Sequence, residues 1–489
     1  MHAPPTDSAT LPTQQSALEE ETVAQPSTES RSAVTWWIWA LAGALFFTYM
    51  ALSLRLHQRM LTNAFDLGIF EQIVRSYANG QLPVSEVKGP DFPIFGDHVS
   101  PVLALLAPLY WLWPSPSALL VAQAALIAAS VLPLTAWARR TLGTMAAVLI
   151  GLGYGLSWGI ASTLGAEFHE VAFAAPLVAF SVTALGTGRL RAAVFWALPL
   201  VLVKEDLGLT VAAIGLLVAK RGERKLGIIT ALCGLVGTLV AMLVVLPAFD
   251  PSGSFGRLLW LGNTGGGESS VGDLLHSATI GLITPQAKST TLLLLLAPTL
   301  FLALRSPLMW IALPTLLWRF ASDYAFHWGT THHYSLVLMP IVFAAFIDAL
   351  VRRRPNPSSL RRYLAGSVAV TFLLLPQFPL WQLVQPATWR HNPRIAVAHR
   401  LMDRIPDGAT VQASNQLVPH LTNRTSVSLY GWYASRPNPE WIMVDTSVPL
   451  NLRWPQDAIT ERIALDTARA QQYRTVAEQD GFLLLNRRG

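Results

Sequence analysis

WWIWALAGALFFTYMALSL, running from Trp36 to Leu54, contains no charged side chain. A membrane helix needs about 20 mostly apolar residues, and about 17 suffice. The run therefore reads as a transmembrane helix. It is too long and too far from the start of the chain for a signal-peptide core, and no small-residue cleavage site follows it, so it is expected to remain as an anchor. Residues 1–31 before it are rich in Pro, Thr, Ser, Gln and Glu. Such a segment buries too little apolar surface to order itself, and it is expected to be a disordered cytoplasmic tail.

After this first run come further apolar stretches at 117–138, 143–162, 169–187, 190–204, 206–220, 226–248, 288–304, 307–322, 335–351 and 363–383. Those at 190–204 and 206–220 are short enough to be tilted or broken. Composition agrees: of 489 residues, 52% are hydrophobic and only 13% charged, against about 25% charged in a soluble protein. Lipid must cover much of this surface. The net charge of +6 implies no nucleic-acid partner, because the basic residues come in short clusters between apolar runs, as cytoplasmic loops do. The single cysteine, Cys233, lies inside an apolar run and excludes an intrachain disulfide or a C-x-x-C site.

The basic clusters set a direction. Arg139–Arg140, Arg189 with Arg191, Lys220–Lys225, Arg305 and Arg352–Arg362 all fall on one side if the spans are threaded in order, with only Arg55 and Arg59 opposite. Placing the clusters in the cytoplasm puts the N-terminus inside and the C-terminus outside. Val99–Trp113 is apolar but short and interrupted by proline, so it is expected to lie in the outer interface. The expected fold is a mainly α, multi-pass plasma-membrane protein. A polytopic domain, 32–384, has about 11 transmembrane helices and a long first external loop, 55–116.

From about residue 385 the long apolar runs stop. Arg394–Ile405 has amphipathic helical spacing, and Ala458–Gln472 does too. Thr410–Ala413, Ser426–Tyr430, Trp441–Asp445 and Phe482–Leu485 read as short strands. Residues 385–489 are expected to form a small external α/β domain.

The threading gathers the polar clusters on the external side, where ionisable groups near hydrocarbon usually mark a site. Asp66 heads a segment of helical period and suits either a general base or a helix N-cap. Asp97 and His98 suit a metal or phosphate contact, or a cap before the interfacial run. Glu167, His169 and Glu170 at the start of a span could hold a divalent cation or transfer protons; the plainer alternative is a polar cap. Lys204, Glu205 and Asp206 join two apolar helices with almost no loop, either facing a cavity or paired among themselves in a turn. His327, His332, His333 and Tyr334 suit phosphate or sugar contact, or decoration of the aromatic belt. No P-loop, dinucleotide glycine motif or nucleophile elbow is present, and the glycine-rich loop within 249–287 reads as flexible.

The set Phe65-Asp66-Leu67-Gly68-Ile69-Phe70-Glu71-Gln72, Gly96-Asp97-His98-Val99-Ser100-Pro101, Phe168-His169-Glu170, Lys204-Glu205-Asp206 and His333-Tyr334, with Ala413-Ser414-Asn415 and Pro419-His420-Leu421, resembles an uncharacterised prokaryotic membrane family, number 2079 among the domains of unknown function. The layout is similar to that of C-type membrane glycosyltransferases, which use lipid-linked sugars. Protein O-mannosyltransferases and lipid A aminoarabinose transferases in that class have a first span, a long external loop with interfacial helices, and an acidic residue early in the loop. The resemblance implies that Asp66 is the catalytic carboxylate, activating an acceptor hydroxyl against a polyprenyl-phosphate sugar. It puts Asp97 in the catalytic set with Asp66, and His98 beside it near the loop's second motif. It makes Lys204, His332 or His333 candidates for the donor phosphate, with His169, Glu170, Glu205 and Tyr334 as further substrate contacts. Metal dependence differs between members of that class. A transporter or flippase of lipid-linked substrates, or a non-enzymatic scaffold, are the rival readings. On a single-site reading Asp66, Asp97, Glu170 and Lys204 should share one external cavity.

Overall fold

The computed structural model describes residues 36–250, 281, 284–322, 324–449 and 453–488. The tail 1–31, most of the glycine-rich loop and Asp323 lie outside the described residues. Helix α1 (Trp36–Gln58) opens the bundle and packs on α4. A wide turn, Ala64–Gly68, leads into α2 (Ile69–Ala78), and the interfacial run becomes a tight helical turn, Pro101–Leu106, followed by α3 (Ala107–Leu112). Pro101–Leu112 is far shorter than a span, and it exposes Leu105, Trp111 and Leu112. That suits the interfacial position expected for it.

The bundle continues with α4 (Pro116–Leu142), α5 (Thr144–Gly155), α6 (Trp158–Gly165), α7 (Ala174–Gly186), α8 (Leu190–Ala197), α9 (Leu207–Lys220) and α10 (Arg224–Val240). It ends with α11 (Gln286–Leu296), α12 (Leu313–Ala321), α13 (Leu338–Arg353) and α14 (Pro357–Leu374). Among the described residues, five helical segments are long and apolar enough to cross a membrane: Trp36–Gln58, Pro116–Leu142, Thr144–Gly165, Arg224–Phe249 and His333–Arg353. Glu170–Gly186, Leu190–Leu202 and Leu207–Lys220 are shorter apolar helices. The expected runs 190–204, 288–304 and 307–322 are not continuous α-helices. Each tightens or breaks beside a proline, namely Pro199, Pro298 and Pro314, and Leu300 and Phe301 are left-handed. Proline removes a backbone donor and clashes with the preceding turn, so the ladder fails there.

Two helices are brought unusually close. A Cβ on Gly208 would meet Gly234 O at 2.3 Å, and one on Gly215 would meet Gly227 O at 2.6 Å. These glycines let α9 and α10 pack backbone to backbone. The opposite face of α10 exposes Ile228, Leu232, Leu235 and Leu239, as a lipid-facing helix should; Cys233 is exposed there too.

The basic ends cluster. Arg221, after α9, donates from Nη1 to Leu185 O at the end of α7. Arg352, in the last turn of α13, pairs with Asp348. The N-terminal ends of α7, α9 and α13, carrying Glu170, Asp206 and His333, lie at the other end of the bundle. Arg55, an exception to the charge pattern, is occupied structurally: it donates to Thr388 O at 2.8 Å and Arg390 O at 3.0 Å.

The C-terminal part begins with α15 (Pro393–Met402). Its five-stranded sheet contains β1 (Thr410–Ala413), β2 (Ser426–Leu429), β3 (Trp441–Asp445), β4 (Tyr473–Gln479) and β5 (Phe482–Arg487), in the order β2-β1-β3-β5-β4. β1 is parallel to β2 and β3, whereas β5 is antiparallel to β3 and β4. Helix α16 (Ala458–Gln471) precedes β4. The strand β4 had no counterpart in the sequence reading. It is a polar edge strand with a bulge near Thr475, so it lacks the apolar alternation that marks a half-buried strand. The available signal was the turn Asp480-Gly481, where both residues have positive φ, as a two-residue hairpin requires.

This α/β unit is clamped to the long loop between α1 and α4. Gln72 donates to Val427 O at 2.8 Å, and Arg436 forms a two-pronged pair with Glu86 at 2.8 and 3.0 Å. The hydrophobic core is continuous across the contact, running from Leu67 and Val87 to Val418 and Leu429.

Candidate active site

The Asp66 turn is built by two distant segments. Glu167 follows α6 with positive φ, and its carboxylate accepts from Asn63 N (2.9 Å), Asn63 Nδ2 (2.7 Å) and Leu67 N (3.2 Å). Asn415, beyond β1, accepts from Ala64 N and donates to Asn63 Oδ1, both at 2.9 Å. Asn63, not Asp66, occupies the capping position. The Asp66 carboxylate is a third exposed, and its Oδ1 lies 3.2 Å from His169 Nε2. The cap alternative for Asp66 is thus replaced by a carboxylate–imidazole pair.

His169 is in turn held by its backbone N–H, which donates to Gln123 at 3.0 Å. Its ring stacks on His333, with centroids 3.6 Å apart. Both ring nitrogens of His333 and Nδ1 of His169 are buried with no hydrogen-bond partner among the described residues. Buried polar atoms are nearly always satisfied, and an unsatisfied group needs an explanation. His333 lines the cavity described next, so a bound ligand can supply the missing partner.

Asp66, Asp97, Glu170 and Lys204 all line one cavity of about 950 Å³, together with His98, His169, Glu205, His333 and Tyr334. This volume suits a small-molecule ligand. Three ion pairs ring its polar end: Lys88–Asp97 at 2.8 Å, His98–Glu205 at 3.1 Å and Lys204–Glu170 at 2.7 Å. Lys204-Glu205-Asp206 is therefore not a self-paired turn, since two of its three charges pair outward. Burial lowers the His98 pKa, but the Asp97 and Glu205 carboxylates outweigh it and raise the group overall. Burial works against the Glu205 charge too, but the His98 imidazolium holds its carboxyl down to about 2. Each partner thus favours the charged form of the other.

The other end of the cavity is apolar. It is lined by Leu209 and Leu216 of α9, Met242 and Leu246 beyond α10, and Pro314 and Leu317 of α12. Leu216 and Leu317 are also half-exposed or more on the outer face of the bundle. The cavity therefore opens sideways on the surface that lipid covers.

The structure separates the histidines. His327 and His333 line the cavity and His332 does not; His332 Nδ1 lies 2.9 Å from Thr331 Oγ1. Burial pushes His327 down to about 3, so it is neutral. Belt decoration does not describe His327 or His333, both of which are buried. Among the described residues, no three His, Cys, Asp or Glu side chains are grouped to hold a metal ion.

Sequence reasoning passed over Lys88, Glu167's anchoring role and Arg319. Lys88 reaches the cavity from the loop between α1 and α4, and its Nζ lies 5.2 Å from the Phe65 ring. Arg319 is fully buried. It donates to His327 O (2.8 Å), Gly329 O, Tyr334 O and Ser335 Oγ (each 3.2 Å), which fixes the loop that carries His327 and His333. Its signal was available: a lone arginine within an apolar run marks a buried polar role.

A helical bundle with apolar membrane-length helices and a cavity that is charged at one end and apolar at the other defines a multi-pass membrane protein. The chain belongs to the family of predicted membrane proteins DUF2079, whose model matches residues 56–484. No curated protein matches it. Among solved structures it is similar to ArnT from Cupriavidus metallidurans bound to undecaprenyl phosphate, with 14% identity, a TM-score of 0.51, and coverage of 92% of this chain and 98% of that one. It is similar to the apo state of the same protein at 13% identity and a TM-score of 0.51, covering 93% of this chain and 98% of that one. At this identity the likeness is one of fold. Family and fold both agree with the resemblance read from the motifs.

Proposed function

We propose that the protein is a membrane glycosyltransferase that moves a sugar from a polyprenyl-phosphate donor to an acceptor at the outer membrane face. One observation carries the reading: a single cavity joins Asp66, the cations Lys88, Lys204 and His98, and an apolar arm open to lipid. A donor of this kind has a hydrocarbon tail, an anionic phosphate and a sugar, in that order. The arm takes the tail sideways from the bilayer, the cations face the phosphate, and the sugar lies towards Asp66. ArnT, similar in fold, is bound to undecaprenyl phosphate, and this supports a lipid-linked donor here.

In this mechanism Asp66, oriented by His169, accepts the proton of an acceptor hydroxyl. The hydroxyl oxygen forms a bond to the anomeric carbon while the bond from that carbon to the phosphate oxygen breaks. The leaving polyprenyl phosphate gains negative charge, which Lys204, Lys88 and His98 stabilise in place before the reaction begins. The N-terminal ends of α9 and α13 add their positive dipole ends at the same place. Asp97 positions Lys88 and His98 rather than taking the proton, and Glu205 positions His98. The proposal keeps the N-terminus cytoplasmic and the α/β unit, 385–489, outside, since the basic helix ends lie opposite the cavity.

Purified protein supplied with polyprenyl-phosphate sugars and candidate acceptors should transfer sugar, and Asp66→Asn should abolish it while leaving donor binding intact. Transfer unchanged in Asp66→Asn sinks the assignment. The breaks at Pro199 and Pro298 are a feature that transporters share, so the same protein in vesicles should be tested for translocation. Lipid movement without transfer would favour a flippase.

A further inference from the structure

Beside the main cavity lies a second groove of about 680 Å³. Its walls are residues 88–93 of the external loop, 248–250, and 432–434 of the α/β unit. It shares Lys88 and Asp250 with the main cavity, so the two meet there. An aromatic cluster crosses the junction. Phe65, which precedes Asp66, packs edge-on against Trp432 at 5.0 Å and Trp454 at 4.7 Å. Tyr433 lies 4.4 Å from Trp432. Tyr433 is 83% exposed and Trp454 is 43% exposed. Next to these rings stands the exposed carboxylate of Asp91, 3.3 Å from Arg436 Nη2.

We infer that this groove is the acceptor subsite and that it takes a carbohydrate. The inference rests on the glycosyl-transfer reading and adds the acceptor's chemical class. A sugar ring has a face of C–H groups and an edge of hydroxyls. The exposed Tyr433 ring and the half-buried Trp432 ring match the face, and Asp91 and Lys88 match the edge. A few placed polar groups among aromatic surfaces is the composition of a small-ligand site. A lipid tail would take these charges out of water and offer them no hydrogen bond, whereas sugar hydroxyls can bond to them in place of water. The groove also ends where it must: an acceptor lying on Trp432 and Tyr433 reaches the main cavity beside Phe65, one residue from Asp66.

The test uses full-length protein in nanodiscs, titrated with maltopentaose, mannopentaose and chitopentaose, with a threonine-rich peptide, and separately with undecaprenyl phosphate. At least one oligosaccharide should bind saturably to the wild type. Tyr433→Ala and Asp91→Ala should each weaken it about tenfold, with undecaprenyl phosphate affinity held within about twofold. Both side chains are highly exposed, so neither change should unfold the protein. No oligosaccharide binding by the wild type, unchanged affinity in both variants, or peptide binding with the same losses would overturn the inference. Undecaprenyl phosphate binding without oligosaccharide binding removes the groove and leaves the proposed function standing. Oligosaccharide binding without undecaprenyl phosphate binding does the reverse.

Discussion

Replacing Lys204 by methionine should destabilise the protein strongly, and removing its partner as well should restore most of the loss. Lys204 Nζ lies 2.7 Å from Glu170 Oε1, and the two side chains are 11% and 1% exposed. At that separation two unit charges attract by about 6 kcal/mol for an effective dielectric of about 20. Much of this only offsets the cost of taking both charges out of water. The decisive quantity is what remains when one partner goes. Lys204→Met leaves Glu170 buried without its ion-pair partner, and stranding a buried charge costs about 3–5 kcal/mol. Methionine keeps the length and the apolar stem, so packing contributes little. The double variant Lys204→Met/Glu170→Gln removes both charges and should recover to within about 1–2 kcal/mol of the wild type, because the interaction energy belongs to the pair. Denaturant unfolding in detergent, followed by tryptophan fluorescence, measures all three proteins. A single variant within about 0.5 kcal/mol of wild type would refute the reasoning, and so would a double variant no more stable than the single one. Undecaprenyl phosphate affinity should fall in both variants, since both lack the cation.

Glu167→Gln should slow transfer and cost about 1–3 kcal/mol, because an amide cannot accept all three donors from Asn63 and Leu67; a fall in kcat with stability unchanged would refute the anchoring role. Arg319→Met should cost about 3 kcal/mol or more, since it takes the donor from two buried and two half-buried acceptors, as thermal unfolding would register. Gly208→Ala forces a Cβ to within 2.3 Å of Gly234 O, so α9 and α10 must part at a cost of about 1–3 kcal/mol, measurable in the same unfolding assay. The His98 pKa is raised overall by its carboxylate neighbours, so its positive charge is fully present below the ordinary value of about 6.5 and is lost as pH rises through the higher one. Undecaprenyl phosphate binding should therefore weaken on the alkaline side of about 6.5, and His98→Gln should remove that step; a step that persists in the variant belongs to another group.

The sequence by itself determined the class of protein. Long charge-free runs such as Trp36–Leu54 cannot face water, and their length matches a bilayer, so hydropathy alone carries this conclusion. It also determined where polar chemistry would collect, because the basic clusters at Arg139–Arg140 and Arg352–Arg362 mark helix ends opposite to Glu170, Asp206 and His333. Four of the five strands were legible as short β-rich pieces, and β4 was not, because an edge strand with little burial carries no apolar pattern. Tertiary structure decided the rest. Whether Asp66 caps a helix or faces a histidine depends on Glu167 and Asn415, which lie far away along the chain. Whether Lys204, Glu205 and Asp206 pair among themselves depends on how α9 meets α7 and the loop between α1 and α4. His327 enters the cavity and His332 does not, because Arg319 pins the loop between them. The apolar arm exists only where α9, α12 and the segment beyond α10 come together. Hydropathy and charge act on neighbours along the chain, whereas a site of paired charges is made by packing, which brings side chains from separate helix ends within hydrogen-bond reach.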